Sequence, residues 1–227
     1  MRKPVFFWLT FSYVLIFIAL PPVFFQISGG GRADVLPARY PPEVFAEALI
    51  VFLIYCLSMR GRIFGRGFLR RRMPFFVYSS NALICFGLLC LSSVFFEFLT
   101  WLLGIEGGVR KIMRPEGFTG AVNFFMGLSA SCLIEEVVYR FFLPAALKDI
   151  VFGVFRSEKP KLSVLCECLS LLLFACGHIY LGIPGVLNAL LGGAALRLCI
   201  IRTGSIWPPV LSHLLYNFLS SVVFMSL

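Results

Sequence analysis

Charge is scarce in this chain: 14% of its 227 residues are Asp, Glu, Lys or Arg, against roughly 25% in soluble domains. With 59% hydrophobic residues, that scarcity excludes an ordinary soluble domain. Acidic groups number 11 against 20 basic ones, and histidines number two. A basic excess often marks a nucleic-acid binder, but these basic residues lie between apolar blocks with no RNP-like or zinc-finger context. No nucleic-acid partner is expected. The eight cysteines lack the short-loop spacing of a secreted disulfide framework. Cys166 and Cys168 stand two apart with no second pair, short of a zinc knuckle, so the cysteines read as small buried hydrophobes. Internal repeats are also missing, which disfavours an inverted-repeat transporter.

Long apolar runs are what the chain does have. A helical span needs about 20 mostly apolar residues, and this length divides the sequence into seven candidates. They run over Val5–Ile27, Glu43–Met59, Pro74–Leu103, Gly117–Leu147, Leu162–Leu181, Gly185–Ile201 and Trp207 to Leu227. The first resembles a signal peptide, with Arg2 and Lys3 ahead of it, but is too long and lacks an A-x-A site. It reads as an uncleaved span with a kink at Pro21 and Pro22. The expected fold is all-α, a polytopic transmembrane helical bundle of about seven spans. No polar linker splits it, so residues 1–116 and 117–227 form one integral bundle, the first part with an arginine-rich loop and the second with the candidate chemistry. In the sixth span Gly185, Ala189 and Gly193 line one face with small residues, a packing feature.

Arg60, Arg62, Arg66, Arg70, Arg71 and Arg72 mark the second loop as cytoplasmic by the positive-inside rule. Lys148, Arg156, Lys159, Lys161 and Arg202 fall on the same side, while Arg32, Arg39, Arg110, Lys111 and Arg114 fall on the other. The expected orientation is N-in and C-out, in a lipid bilayer and specifically the plasma (inner) membrane of a prokaryote.

Within the fourth span stands "CLIEEVVYRFFLP". Ionisable groups at membrane depth cost about 2.5–3.5 kcal/mol each on insertion scales and face a cavity or a partner. Glu136 and Arg140 are four apart and share a helix face, so they can pair. Glu135 is turned about 100° away and has no cation at helical spacing, which leaves it free to act. Both histidines also lie in apolar spans. Phe174 and His178 are four apart on one face, and so are His213 and Asn217. A carboxylate and an imidazole can deprotonate a water, while a second imidazole and an amide stabilise an oxyanion. Equally, Glu135, His178 and His213 could hold a divalent metal such as zinc and activate its bound water; residue types leave both open. Depths counted along the spans are compatible with a cavity opening toward the cytoplasm. Few other in-span charges occur, mainly Glu47, Glu97, Glu167 and Arg197.

These residues resemble the CPBP intramembrane proteases, the group that includes the eukaryotic type II CAAX prenyl endopeptidase and bacterial Abi-type proteins. That family carries E-E-x-x-x-R, F-x-x-x-H and H-x-x-x-N on separate transmembrane helices. Here they stand as Glu135-Glu136-Val-Val-Tyr-Arg140, Phe174-Ala-Cys-Gly-His178 and His213-Leu-Leu-Tyr-Asn217. The resemblance covers roughly Val122 to Phe224. It implies that Glu135 is the base for the attacking water, assisted by His178. His213 and Asn217 would stabilise the oxyanion or position the water, with Glu136, Arg140 and Phe174 in support. The implied activity is an intramembrane endopeptidase, metal-dependent or metal-free, acting on a prenylated CAAX-like or other membrane-associated peptide or protein. The competing expectation is a non-proteolytic scaffold or peptide-immunity protein that uses the same residues as a buried polar network.

Overall fold

A computed structural model describes residues 5–27, 35–36, 38–60, 73–105, 111–155 and 160–226. In chain order the helices are α1 (Val5–Tyr13), a π segment (Val14–Ala19), α2 (Pro21–Ile27), α3 (Pro42–Met59), α4 (Phe75–Leu103) and α5 (Gly117–Glu135). A second π segment (Glu136–Phe142) follows, then α6 (Leu143–Phe155), α7 (Pro160–Cys176), a short 3-10 turn (Ile179–Leu181), α8 (Gly182–Thr203) and α9 (Trp207–Ser226). Two-residue strands β1 (Val35–Leu36) and β2 (Lys111–Ile112) pair in parallel and tie the loop before α3 to the loop before α5. Every other regular element among the described residues is helical.

Proline and glycine set the element ends. Pro42 opens α3 at a position where a missing N–H costs nothing. Gly104 and Gly204 close α4 and α8 in the left-handed conformation, each at φ +63°, which a Cβ would disfavour. The break expected at Pro21 falls at Leu20, preceded by a π segment in which the Leu20 N–H reaches Leu15 O at 3.0 Å.

Among the described residues six helices are long and apolar enough to cross a membrane: Val5–Phe24, Pro42–Met59, Phe75–Leu103, Gly117–Phe155, Ile179–Thr203 and Trp207–Ser226. The fifth expected span is the one that differs. In place of Leu162–Leu181 the helix α7 has 17 residues and stops at Cys176, because Gly177 turns its N–H onto both Leu173 O and Phe174 O. At 1.5 Å per residue it is about 26 Å long, slightly under the hydrocarbon core of about 30 Å. The fourth span runs on to Phe155 and reaches 39 residues. Most of the arginine-rich loop that fixed the expected orientation, residues 61–72, lies outside the described residues.

The main core joins the first and second halves of the chain. Phe7, Val14, Val51 and Ile54 from the first helices pack with Val137, Phe141, Phe142, Phe174 and Ile200. At the centre of this cluster every residue from Glu136 to Ala146 is buried. Helix α8 comes close to α7 through Gly193, where a Cβ would stand 2.6 Å from Leu171 Cδ1 and 3.4 Å from Arg140 Nη2. The small-residue stripe therefore makes room for the buried arginine as well as for helix packing.

Candidate functional site

The second π segment begins one residue after Glu135, so the two carboxylates sit at the junction of an α-helical and a π-helical ladder. π turns are rare and concentrate at functional sites. Pro144 supplies a local cause, since it has no N–H to give to the carbonyls of the preceding turn. The wider turn keeps Glu136 and Arg140 together: Arg140 Nη1 lies 3.4 Å from Glu136 Oε1, with the two side chains 2% and 0% exposed. The guanidinium also stacks on Phe174, its Cζ 3.5 Å from the ring centroid.

Helix α9 meets this segment through two contacts one turn apart. His213 Nδ1 is 2.9 Å from Glu136 Oε1, and Asn217 Nδ2 donates to Cys132 Sγ at 3.4 Å. The i,i+4 spacing of His213 and Asn217 thus matches the i,i+4 spacing of Cys132 and Glu136 across the helix pair. An ionised Glu136 can only accept, which makes Nδ1 of His213 the protonated nitrogen and leaves Nε2 free to face Glu135. His213 Nε2 lies 3.7 Å from Glu135 Oε2, too far for a direct hydrogen bond and suited to one shared water.

Glu135 is 22% exposed, where its neighbour is fully buried. Its Oε1 accepts from Ser131 Oγ at 3.2 Å, while Oε2 is buried without a hydrogen-bond partner. The stretch that follows it, Glu136 to Ala146, is buried throughout.

His178 is displaced from its expected position on a helix. It sits on the turn after α7, with φ −103° and ψ 15°. It still meets Phe174, whose carbonyl is 2.9 Å from its Nδ1 and whose ring lies 4.5 Å away between centroids. The side chain is half-buried and within electrostatic reach of Glu135, Arg140 and His213. Every sequence-predicted site residue, Glu135, Glu136, Arg140, Phe174, His178, His213 and Asn217, therefore falls in one contiguous region.

Tyr40 and Tyr180 were not anticipated. The backbone N–H of Tyr40 donates to Asn123 Oδ1 at 2.9 Å, and Asn123 Nδ2 donates back to Tyr40 O at 3.2 Å. This clasp lays the Tyr40 ring over Gly127, where any Cβ would overlap the ring. Burial, reinforced by nearby Cys132 and Glu135, pushes the Tyr40 phenol up to about 12. Tyr180 stacks on His178 at 6.1 Å between centroids. A cavity of about 410 Å³ beside Tyr40 is lined by Arg39, Pro41, Pro42, Phe45 and Asn123. No motif marks Tyr40, because its role depends on a loop folding back over α5.

As for a metal, the Nδ1 contacts of both imidazoles resemble the outer-shell hydrogen bonds of metal-bound histidines. Among the described residues, however, no three of His, Cys, Asp and Glu are gathered closely enough to hold an ion. Glu135, His178 and His213 as placed do not fit one, and the chemistry below is derived from the side chains alone.

Residues 116–219 match a family model described as type II CAAX prenyl endopeptidase Rce1-like. The match contains all three motifs. No curated protein and no solved structure matches the chain.

Proposed function

We propose, from the premise that residues 116–219 form a domain of the type II CAAX prenyl endopeptidase Rce1-like family, that this integral membrane protein is a peptidase. It would hydrolyse a peptide bond in a prenylated, CAAX-like or other membrane-associated substrate, in the plasma membrane of a prokaryote. The observation that carries the reading is Glu135 Oε2, a buried carboxylate oxygen without a partner, 3.7 Å from the free Nε2 of His213.

A water hydrogen-bonded to both atoms is oriented by His213 and gives its proton to Glu135 as its oxygen attacks the scissile carbonyl. Glu136 and Arg140 act on His213: the carboxylate holds Nδ1–H, fixing the tautomer and the ring direction, and the arginine makes burial of that carboxylate tolerable. His178 gives its Nδ1–H to the Phe174 carbonyl and so offers an accepting Nε2 that assists in holding the water, while the second amide hydrogen of Asn217 is left to donate to the developing oxyanion; Glu135 returns its proton to the leaving amine.

The test is comparison of protein termini, by proteomics, in native membranes carrying the wild type or Glu135→Gln. New termini should depend on the wild type and vanish in the variant at equal abundance. Undiminished cleavage by Glu135→Gln would refute the mechanism, and an absence of any wild-type-dependent termini would favour the scaffold reading. Stoichiometric zinc in purified, active protein, with loss of activity on chelation, would recast Glu135 as a ligand.

A further inference from the structure

Three charged side chains outside the motifs meet beside the π segment. Arg197 on α8 grips Glu167 on α7 in a two-pronged pair, Nε to Oε2 at 2.7 Å and Nη2 to Oε1 at 2.6 Å. Lys148 on α6 adds a contact to the same Oε1 at 2.6 Å. The guanidinium's remaining nitrogen, Nη1, donates across the helix interface to the main-chain carbonyl of Arg140 at 2.7 Å. One residue earlier, the carbonyl of Tyr139 accepts from the buried hydroxyl of Ser170 at 2.6 Å.

These two carbonyls have a particular reason to need outside donors. In the π ladder Tyr139 O would pair with the N–H five residues on, and in the α ladder Arg140 O would pair with the N–H four residues on. Both positions are residue 144, and Pro144 has no N–H. The ladder already gives the Leu143 N–H to Val138 O, so it cannot also serve Tyr139. An unpaired buried carbonyl is costly, and here each is met from a neighbouring helix. Only an arginine can hold a carboxylate with one edge of its fork and still offer a third nitrogen in a fixed direction.

We propose that Ser170 and Arg197 are positioning residues of the candidate catalytic site: by satisfying the carbonyls of Tyr139 and Arg140 they hold the π register that sets Glu136 against His213. Neither contacts His213 or Glu135. They act through the backbone, and Glu167 and Lys148 fix the direction of the arginine fork. As a statement about catalysis this rests on the peptidase reading, whereas the register itself can be measured without a substrate.

The chain has two histidines, so isotope-labelled histidine gives two imidazole signals, and a His178→Asn sample identifies that of His213. The experiment compares wild type, Ser170→Ala, Ser170→Thr, Arg197→Lys and Leu89→Ala in lipid nanodiscs, by histidine NMR and by hydrogen exchange of residues 136–145. Leu89→Ala loosens the α4–α8 packing without touching the π segment. Ser170→Ala and Arg197→Lys should each shift the His213 Nδ1 proton away from its carboxylate-bound position. Each should also speed exchange in the segment by about tenfold, the scale of one lost hydrogen bond to a charged or buried partner. Ser170→Thr, which keeps the hydroxyl, should restore both signals, and Leu89→Ala should leave both unchanged. Wild-type His213 signals in Ser170→Ala and Arg197→Lys would overturn the proposal, and so would an equal shift in Leu89→Ala. If wild-type membranes produced no new termini the peptidase reading would fall, yet these signals would still decide whether the two side chains hold the register.

Discussion

Replacing Arg140 by methionine tests whether the buried pair is what makes two adjacent glutamates tolerable in a membrane helix. Glu136 is 0% exposed and has two polar neighbours, Arg140 at 3.4 Å and His213 at 2.9 Å. Methionine fills most of the arginine's volume and keeps a contact with the Phe174 ring, so the chief loss is the compensating charge. Breaking one partner of a buried ion pair costs about 3–5 kcal/mol. The surviving His213 contact places the expectation near the low end, and the lost stacking on Phe174 adds about 1 kcal/mol. Glu136→Gln in the Arg140→Met background removes the stranded charge and should recover about 2 kcal/mol, since neutral replacement of both members of a buried pair is often near neutral. Reversible unfolding in bicelles of the two single variants, the double variant and the wild type measures the coupling directly. A cost below about 1 kcal/mol for Arg140→Met, on the scale of an exposed pair, would refute the claim that this arginine neutralises Glu136.

Glu135→Gln should lower cleavage by about 10²–10⁴-fold, the usual worth of a general base, with unfolding stability unchanged, because the amide keeps the Ser131 contact. Gly127→Ala pushes a methyl group into the Tyr40 ring and should destabilise by about 1–3 kcal/mol, as overpacking does; Tyr40→Ala in the same chain should return most of it in a thermal unfolding assay. The phenol of Tyr40 is raised from 10.0 to about 12, so its neutral form is favoured in the folded state. The resulting stability is complete below pH 10 and is lost as pH rises toward 12; alkaline unfolding followed by tyrosinate absorbance should therefore move upward in Tyr40→Phe.

Spacing along single helices made much of the site legible. Glu136 and Arg140 share a face in an α-helix and still meet in a π-helix, so the ion pair survived a change of ladder that the sequence reading did not foresee. Glu135 stands apart from Arg140 in the same spacing, and its Oε2, like that of Glu136, has no hydrogen-bond partner, but only Glu135 is partly exposed. What spacing cannot contain is which helix faces which. That His213 takes Glu136 on one nitrogen and turns the other toward Glu135 follows from the antiparallel packing of α9 on α5, and that Tyr40 folds over Gly127 follows from a loop clasped by Asn123. His178 left its helix because Gly177 offered a cheaper turn than continuing α7, a choice that hydrophobic periodicity over the span could not register.

Pro144 shows where the boundary lies between the two kinds of information. A proline four residues after Arg140 is visible in the sequence, and with it the loss of an N–H that either helical ladder would have used. From that loss alone two carbonyls, Tyr139 and Arg140, can be marked as needing outside donors. Their donors, Ser170 and Arg197, lie 31 and 57 residues further along the chain, and Arg197 read from the sequence was merely a stray in-span charge. Once the helices are packed it is fully employed by Glu167 and by the main chain of the motif arginine, which is why a charge so costly at membrane depth is accommodated at that position.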